Sequence, residues 1–275
     1  MSPAGSGPQR VRAGHVAWVA ERMSARDWAI VQTVNRLRLV TGWQLERLHF
    51  AELVGRSRAV SRWRVLKRLC DWRVLMAMSR RVGGSLRGST KLAFALDSAG
   101  QRLLQLPRHG GTSGVVVRRP GVPSERFKEH SLAVSELYVC LVELACSQAF
   151  TLGTFLAEPA CWWPDGRGGR LEPDAYVSVS TAKVTDHWWV EVDRDQESLP
   201  TMRRKLMVYL EFLHSGQVGP GGVMPRVVVM VPNERRREAV RGVVALLPGV
   251  AGELFVVARQ EGAAGVVVDV LEKTL

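Results

Sequence analysis

The sequence predicts a mixed α/β protein, α+β overall: an N-terminal winged helix-turn-helix followed by an α/β sandwich on a mixed sheet. Three observations carry this. Three stretches of helical spacing precede two strand-like runs around a Gly-rich turn, and the second half interleaves helical periods with short β-branched runs. Charge divides the chain as well: residues 1–128 hold 24 Lys and Arg against 7 Asp and Glu, a surplus of +17, while the rest holds 14 against 19, or −5. At 275 residues and 46% hydrophobic content, the chain is long enough for one large or two ordinary domains with a real core.

Residues 1–24 read as a flexible N-terminal arm and 25–106 as the winged helix. From Arg26, the apolar residues Trp28, Ile30, Val31, Val34 and Leu37 keep helical spacing. Thr41 is a good N-cap for a short second helix through Leu45, Leu48 and Phe50. A third helix runs from about Ser57 to Trp72, with Val60, Trp63, Leu66, Leu69 and Cys70 inward. Arg56, Arg58, Arg62, Arg64, Lys67 and Arg68 lie on or beside its outer faces. Strand-like runs Val74–Val82 and Lys91–Leu96 flank the turn GGSLRGST, and a helix Ser98–Leu106 closes the domain. In this arrangement the third helix enters the major groove of double-stranded DNA, and the hairpin carries Arg80, Arg81, Arg87 and Lys91 to phosphates or the minor groove. Such basic excess supplies most non-specific affinity for nucleic acid. A solvated basic helix, or a winged helix used between proteins, is the plainer alternative.

Residues 107–124 (PRHGGTSGVVVRRPGVPS) form a linker, 125–262 the α/β domain and 263–275 a C-terminal tail. A helix over Ser124–Ala149 leads into strand-like segments near Thr151–Trp163, Pro173–Ser180 and His187–Asp193. Ser198 caps the next helix, with Pro200 in its first turn and Leu206, Tyr209, Leu210 and Leu213 facing in. Strand Arg226–Val231, helix Asn233–Leu246 and strand Leu254–Ala258 complete the order.

The chemistry concentrates in LEPDAYV and HWWVEVDRD. If these strands pair through a turn near Lys183, facing positions have numbers summing to about 366, and Asp174 lies beside Glu191 and Asp193, which share one face. Facing Cβ atoms lie roughly 5 Å apart. Three carboxylates that close repel one another unless a cation or an arginine sits among them. The pattern reads as a divalent-metal site or the relic of one.

The order α-β-β-β-α-β, with Pro173-Asp174 opening the second strand and Glu191-Val192-Asp193 on the third, resembles the PD-(D/E)XK nuclease superfamily. More narrowly, residues from about 25 to 260 resemble the replication-relaxation proteins, through RDWAIVQTVNRLRLVTGWQLERLHF, the basic third helix, ALDSAGQRLL and LEPDAYV…EVDRDQESLPTMRRKLMVYL. That resemblance implies a winged helix joined to a nuclease-like α/β domain, in a DNA-binding protein of a plasmid or other mobile element. It would act in replication, DNA relaxation or transfer initiation, with replication or conjugation proteins as partners. Asp174 and Glu191 would then hold Mg²⁺ or Mn²⁺ for a DNA nuclease or nickase, with Asp193 as a further ligand. The superfamily has a lysine two residues after the acid; here that position is Asp193, and Lys205 in the following helix either supplies the ammonium or is an exposed helix cation. A winged-helix regulator, binding as a homodimer with the nuclease-like domain as a scaffold, is the third reading.

Other residues have two readings each. His130 is a satisfied structural histidine or a phosphate or metal contact; Glu129 and Glu136 are helix-surface acids or a fourth carboxylate. Trp162 and Trp163 pack on the sheet or stack on an unpaired base. Arg235, Arg236 and Arg237 open a helix against its dipole, which calls for an anionic partner or the nearby Glu234 and Glu238. Cys70, Cys140, Cys146 and Cys161 lack metal-ligand spacing and read as buried thiols of a reducing cytoplasm. No 18-residue apolar run and no signal-peptide core in MSPAGSGPQR point to a cytoplasmic protein without a membrane partner. Phosphate-loop, dinucleotide-glycine and nucleophile–histidine motifs are missing from the sequence.

Overall fold

The structure is a computed structural model that describes residues 11–79, 92–106 and 124–272. The protein is α+β and divides into two compact units, residues 1–128 and 129–275.

The first unit holds helices α1 (Ala13–Ala20), α2 (Ala25–Leu37), α3 (Gly42–His49), α4 (Gly55–Asp71) and α5 (Ser98–Leu103). Strands β1 (Val40–Thr41), β2 (Leu75–Ser79) and β3 (Leu92–Leu96) make an antiparallel sheet in the order β1-β3-β2. Both N-terminal caps are reciprocal. The Ser24 hydroxyl accepts from the Asp27 backbone N–H while the Asp27 carboxylate accepts from the Ser24 N–H. Thr41 and Gln44 repeat the arrangement at α3, which satisfies N–H groups that a helix start would leave bare. Ile30, Val31, Val34, Leu45, Leu66 and Leu69 are buried from three helices, so the 3.6-residue spacing is the core face.

Residues 11–24 are not a loose arm. Val16 and Val19 of α1 are buried, His15 Nε2 lies 2.9 Å from the Trp72 carbonyl oxygen, and Arg102 donates to the Val11 carbonyl at 2.6 Å. The spacing Val11, Val16, Val19 places small apolar side chains on one side of a short helix, enough to dock it.

In the second unit, α6 (Glu125–Ser147, of which residues from 129 belong here) precedes β4 (Thr151–Ala157). A two-stranded hairpin of β5 (Trp163–Pro164) and β6 (Arg170–Leu171) follows; the strand-like segment expected over Thr151–Trp163 ends at Ala157. Then come β7 (Ala175–Ser180), β8 (Thr185–Val192), α7 (Leu199–His214), β9 (Arg226–Val231), α8 (Glu234–Ala245), α9 (Ala251–Leu254), β10 (Phe255–Arg259) and α10 (Ala263–Glu272). The sheet order is β10-β9-β8-β7-β4: β4, β7 and β8 pair antiparallel, β8, β9 and β10 parallel.

One face of the sheet, with Tyr176, Trp189, Val227 and Val229, packs on Met202, Leu206 and Leu210 of α7 and Val240 of α8. Residues 263–275 were expected to be a tail. As far as they are described, they form α10, with Ala263, Val267, Val268 and Leu271 buried and β7 to β10 as its neighbours. The apolar residues of AAGVVVDVL recur at helical spacing, which is the face that α10 buries. By length and composition α6 alone among the described residues could cross a membrane, but Leu132, Val134, Leu137, Val139 and Leu141 are buried within the protein, as in a core helix. Cys161 is buried, Cys70 and Cys140 are half-buried and Cys146 is exposed, so the expectation of four buried thiols is wrong for Cys146.

Candidate functional site

Strand register sets the site. β7 and β8 pair Ala175 with Val190 and Tyr176 with Trp189, so facing numbers sum to 365, not 366. Continued one step, this puts Asp174 opposite Glu191 itself. The Asp174 N–H donates to the Val190 carbonyl at 2.9 Å, and Asp174 Oδ2 accepts from the Val192 N–H at 2.7 Å. Asp174 is therefore held by backbone on both sides, just ahead of the last regular pair.

Two helices complete the group. Lys205 and Tyr209 are one turn apart on α7, so both side chains reach the same spot. The Lys205 ammonium sits on Glu191 Oε2 and the Tyr209 hydroxyl donates to Glu191 Oε1. From α6, His130 Nε2 lies 2.8 Å from Asp174 Oδ1. Asp174, Glu191, Lys205 and Tyr209 line a cavity of about 420 Å³, together with Glu158 and residues of the β5–β6 hairpin.

Burial and charge set the protonation states. Burial pushes the Glu191 carboxyl up, and the charge of Asp174 adds to this; Lys205 and the Tyr209 hydrogen bond oppose it, leaving a pKa of about 7. For Asp174 burial also works upward, but His130 and Lys205 outweigh it and its pKa falls below the usual carboxylate value. Burial disfavours the charge on His130, yet the Asp174 hydrogen bond and the charges of Asp174 and Glu158 raise its pKa. Lys205 is raised despite burial by Glu191 and Asp174, so it stays an ammonium. Burial, then the Glu191 charge, keeps Tyr209 a phenol. The cavity thus presents an ionised carboxylate, a carboxyl that exchanges a proton near neutrality and a fixed ammonium.

Asp193 is not part of this group. β8 ends at Val192, and Asp193 lies beyond it with Oδ2 accepting from Arg236 Nε at 2.6 Å. Both residues are buried. The one-residue difference in register, and an arginine already seated on the carboxylate, remove Asp193 from the expected ligand set. The same contacts explain the arginines at the start of α8. Arg236 and Arg235 reach Asp195, and Arg237 pairs with Glu234 and Glu238, so their anionic partners belong to the chain itself.

Mg²⁺ is commonly held by one or two carboxylates, with water and substrate phosphate completing its shell. Asp174 and Glu191 fit that demand in donor type and in facing one cavity. Among the described residues, however, no three His, Cys, Asp or Glu side chains are gathered as ligands. Lys205 reads from the sequence as an exposed helix cation or as the source of the ammonium; its ammonium lies on Glu191, with a third of the side chain exposed. His130 touches Asp174, whereas Glu129 lies 3.5 Å from Arg194. Tyr209 was read only as core; its position four residues after Lys205 was the signal for its second role. Nothing in the sequence announced Glu158 or the hairpin as part of the cavity wall.

The basic helix α4 divides into two sets. Arg62 is buried, with Nη1 2.7 Å from Glu46 Oε2, and Arg58 Nε approaches Glu46 Oε1 at 3.4 Å. Arg68 donates to both Asp27 oxygens, at 2.7 and 2.8 Å, and lies over the Trp72 ring. These three arginines hold α4 to α3 and α2; only Arg62 of the basic set, expected on or beside the outer faces, is buried. Arg56, Arg64 and Lys67 are exposed, Lys67 beside Asp71. Arg80, Arg81, Arg87 and Lys91 lie outside the described residues.

No curated protein and no solved structure matches the chain. The replication-relaxation family model matches it over residues 31–227, a stretch running from α2 through the cavity into β9. The chain belongs to the replication-relaxation family.

Proposed function

We propose that this is a DNA-binding protein that acts in the replication, relaxation or transfer initiation of a plasmid or other mobile element. In this reading the first unit is a winged helix that grips duplex DNA, and the second is a nuclease-like domain that receives a phosphodiester at the Asp174–Glu191–Lys205 cavity. The observation that carries it is the convergence of those three side chains from two adjacent strands and the next helix. The lysine missing from position 193 is supplied, in space, by Lys205.

Support for the first half comes from charge and element order. The +17 surplus lies in residues 1–128, and three helices followed by an antiparallel sheet present α4 with Arg56, Arg64 and Lys67 outward. Asp174 and Glu191 would hold Mg²⁺ or Mn²⁺, which would supply charge neutralisation at the phosphate and an activated water. Asp174 is ionised and oriented by His130 and the Val192 N–H, ready to serve as a ligand. Lys205, seated on Glu191 until a metal ion takes up that carboxylate, would then hold a phosphate oxygen.

The test is purified protein on supercoiled plasmid in Mg²⁺, Mn²⁺ or EDTA, beside Asp174→Ala. Metal-dependent nicking that the variant loses is expected. Retarded but uncut plasmid in every lane would leave a DNA-binding factor and remove the catalytic half; plasmid that neither shifts nor nicks would sink the proposal.

A further inference from the structure

We propose that Arg170 is a phosphate-binding residue that grips the DNA strand at the rim of the Asp174–Glu191–Lys205 cavity, next to the phosphodiester facing the carboxylates. This rests on the DNA reading above and names a strand contact that reading lacks.

Arg170 is fixed on three sides by its own surroundings. It sits on β6, opposite Pro164 of β5, in a hairpin whose tip is tied by Asp165 Oδ1 accepting from the Arg167 and Gly169 N–H groups, both at 2.8 Å. Trp163 Nε1 donates to the Val218 carbonyl at 3.0 Å, and Leu171 beside it is buried, so the hairpin is anchored at its base. The guanidinium lies over the Trp162 ring with Cζ 4.1 Å from the centroid, and Nε donates to Glu172 Oε1 at 2.7 Å.

The plane and the Nε edge are thereby occupied. The two terminal nitrogens, which form the fork that matches phosphate oxygens, have no partner among the described residues. The Arg170 side chain is 54% exposed, within reach of a ligand at the cavity rim. An ion pair as exposed as Arg170–Glu172 adds little stability, so the arrangement orients the arginine more than it holds the fold.

The cavity also calls for a cation there. Four carboxylates, Glu158, Glu172, Asp174 and Glu191, face it against two fixed cations, Lys205 and Arg170. A DNA strand entering this acidic mouth is repelled except where a cation meets it. Arg170 is the cation at the rim, and Lys205 is already engaged by Glu191.

The experiment measures anisotropy of a short labelled DNA duplex against the full chain in Ca²⁺, over a series of salt concentrations. Wild type is compared with Arg170→Ala, Arg170→Lys and the double variant Arg56→Ala/Arg64→Ala. Arg170→Ala is expected to weaken binding roughly five- to tenfold, as loss of a charge-assisted contact does. It should also flatten the salt slope by roughly 0.9, the value of one phosphate contact. Arg170→Lys should restore the slope while leaving part of the affinity loss, because an ammonium keeps the charge and not the fork. If wild type binds, the first-unit variant weakens binding and Arg170→Ala changes neither affinity nor slope, this inference is overturned and the DNA reading stands. If wild type does not bind, both fall.

Discussion

His130 Nε2 lies 2.8 Å from Asp174 Oδ1, so a half-buried helix residue pairs with a buried carboxylate that lines the cavity. The two pKa shifts run in opposite directions, down for Asp174 and up for His130. For the acid, the stabilisation is present above the ordinary carboxylate value and is lost as pH falls through the lowered folded value. For the histidine, it is complete below the ordinary imidazole value of 6.5 and is lost as pH rises through the raised folded value. The pair therefore stabilises most in mildly acidic solution. We expect His130→Gln to lower the melting temperature clearly at pH 6 and much less at pH 9; equal losses at both would show that His130 acts by packing alone.

Lys205 and Glu191 make a second pair, in which Glu191 is fully buried and a third of the Lys205 side chain is exposed. Removing the ammonium strands a buried carboxylate, which costs about 3 kcal/mol when the charge cannot escape. Here it can: Lys205 holds the Glu191 carboxyl down to about 7, and without the ammonium burial and the Asp174 charge push it higher, so the carboxyl takes up a proton as pH falls. Lys205→Met should destabilise by roughly 2 kcal/mol at pH 8.5 and by much less at pH 5.5. Denaturant unfolding at both pH values checks this, and Lys205→Met/Glu191→Gln should recover most of the loss at pH 8.5.

On α4 the structure separates arginines that hold the fold from those that do not. Arg62 is buried against Glu46, so Arg62→Ala leaves a buried acid without its closest cation and should cost about 3 kcal/mol. Arg56→Ala and Arg64→Ala remove exposed charges and should stay within about 0.5 kcal/mol of wild type. DNA affinity should order them the other way: the exposed pair lost to alanine weakens binding and flattens the salt slope, with stability unchanged. A stable Arg56→Ala/Arg64→Ala protein with wild-type affinity would remove α4 as the contact surface.

The same helix shows where sequence reading stops. Caps such as Ser24–Asp27, Thr41–Gln44 and Ser198–Thr201 are local, and periodicity marks the inward faces of α2 and α7; on α4 it finds Leu66 and Leu69 but wrongly turns Trp63 inward, which is exposed. Asp174 and Glu191 were legible because strand pairing is a local hairpin. The partners of Arg62, Arg68 and Arg236 lie 16, 41 and 43 positions away, and no spacing rule reaches that far. The cavity wall was hidden for the same reason: Glu158 and the β5–β6 hairpin enter it through tertiary folding, and a two-residue strand has no period to read.

The C-terminal helix gives the sharpest test of a structural correction. α10 seals the sheet face opposite α7, where Trp188, Val190 and Val228 are fully buried. Val267 and Leu271 are four residues apart, one turn of helix, and both are buried. A chain ending at residue 262 would expose that face, and burial of even one such side chain is worth about 2 kcal/mol. Val267→Asp places a carboxylate at a fully buried position and should cost more than about 3 kcal/mol. Glu261→Gln, just ahead of the helix on an exposed side chain, should change nothing measurable. Thermal unfolding of the three proteins decides it. A shortened chain that melts like wild type would return residues 263–275 to the tail that their sequence suggested, and with it would fall the assignment of α10 as a layer of the fold.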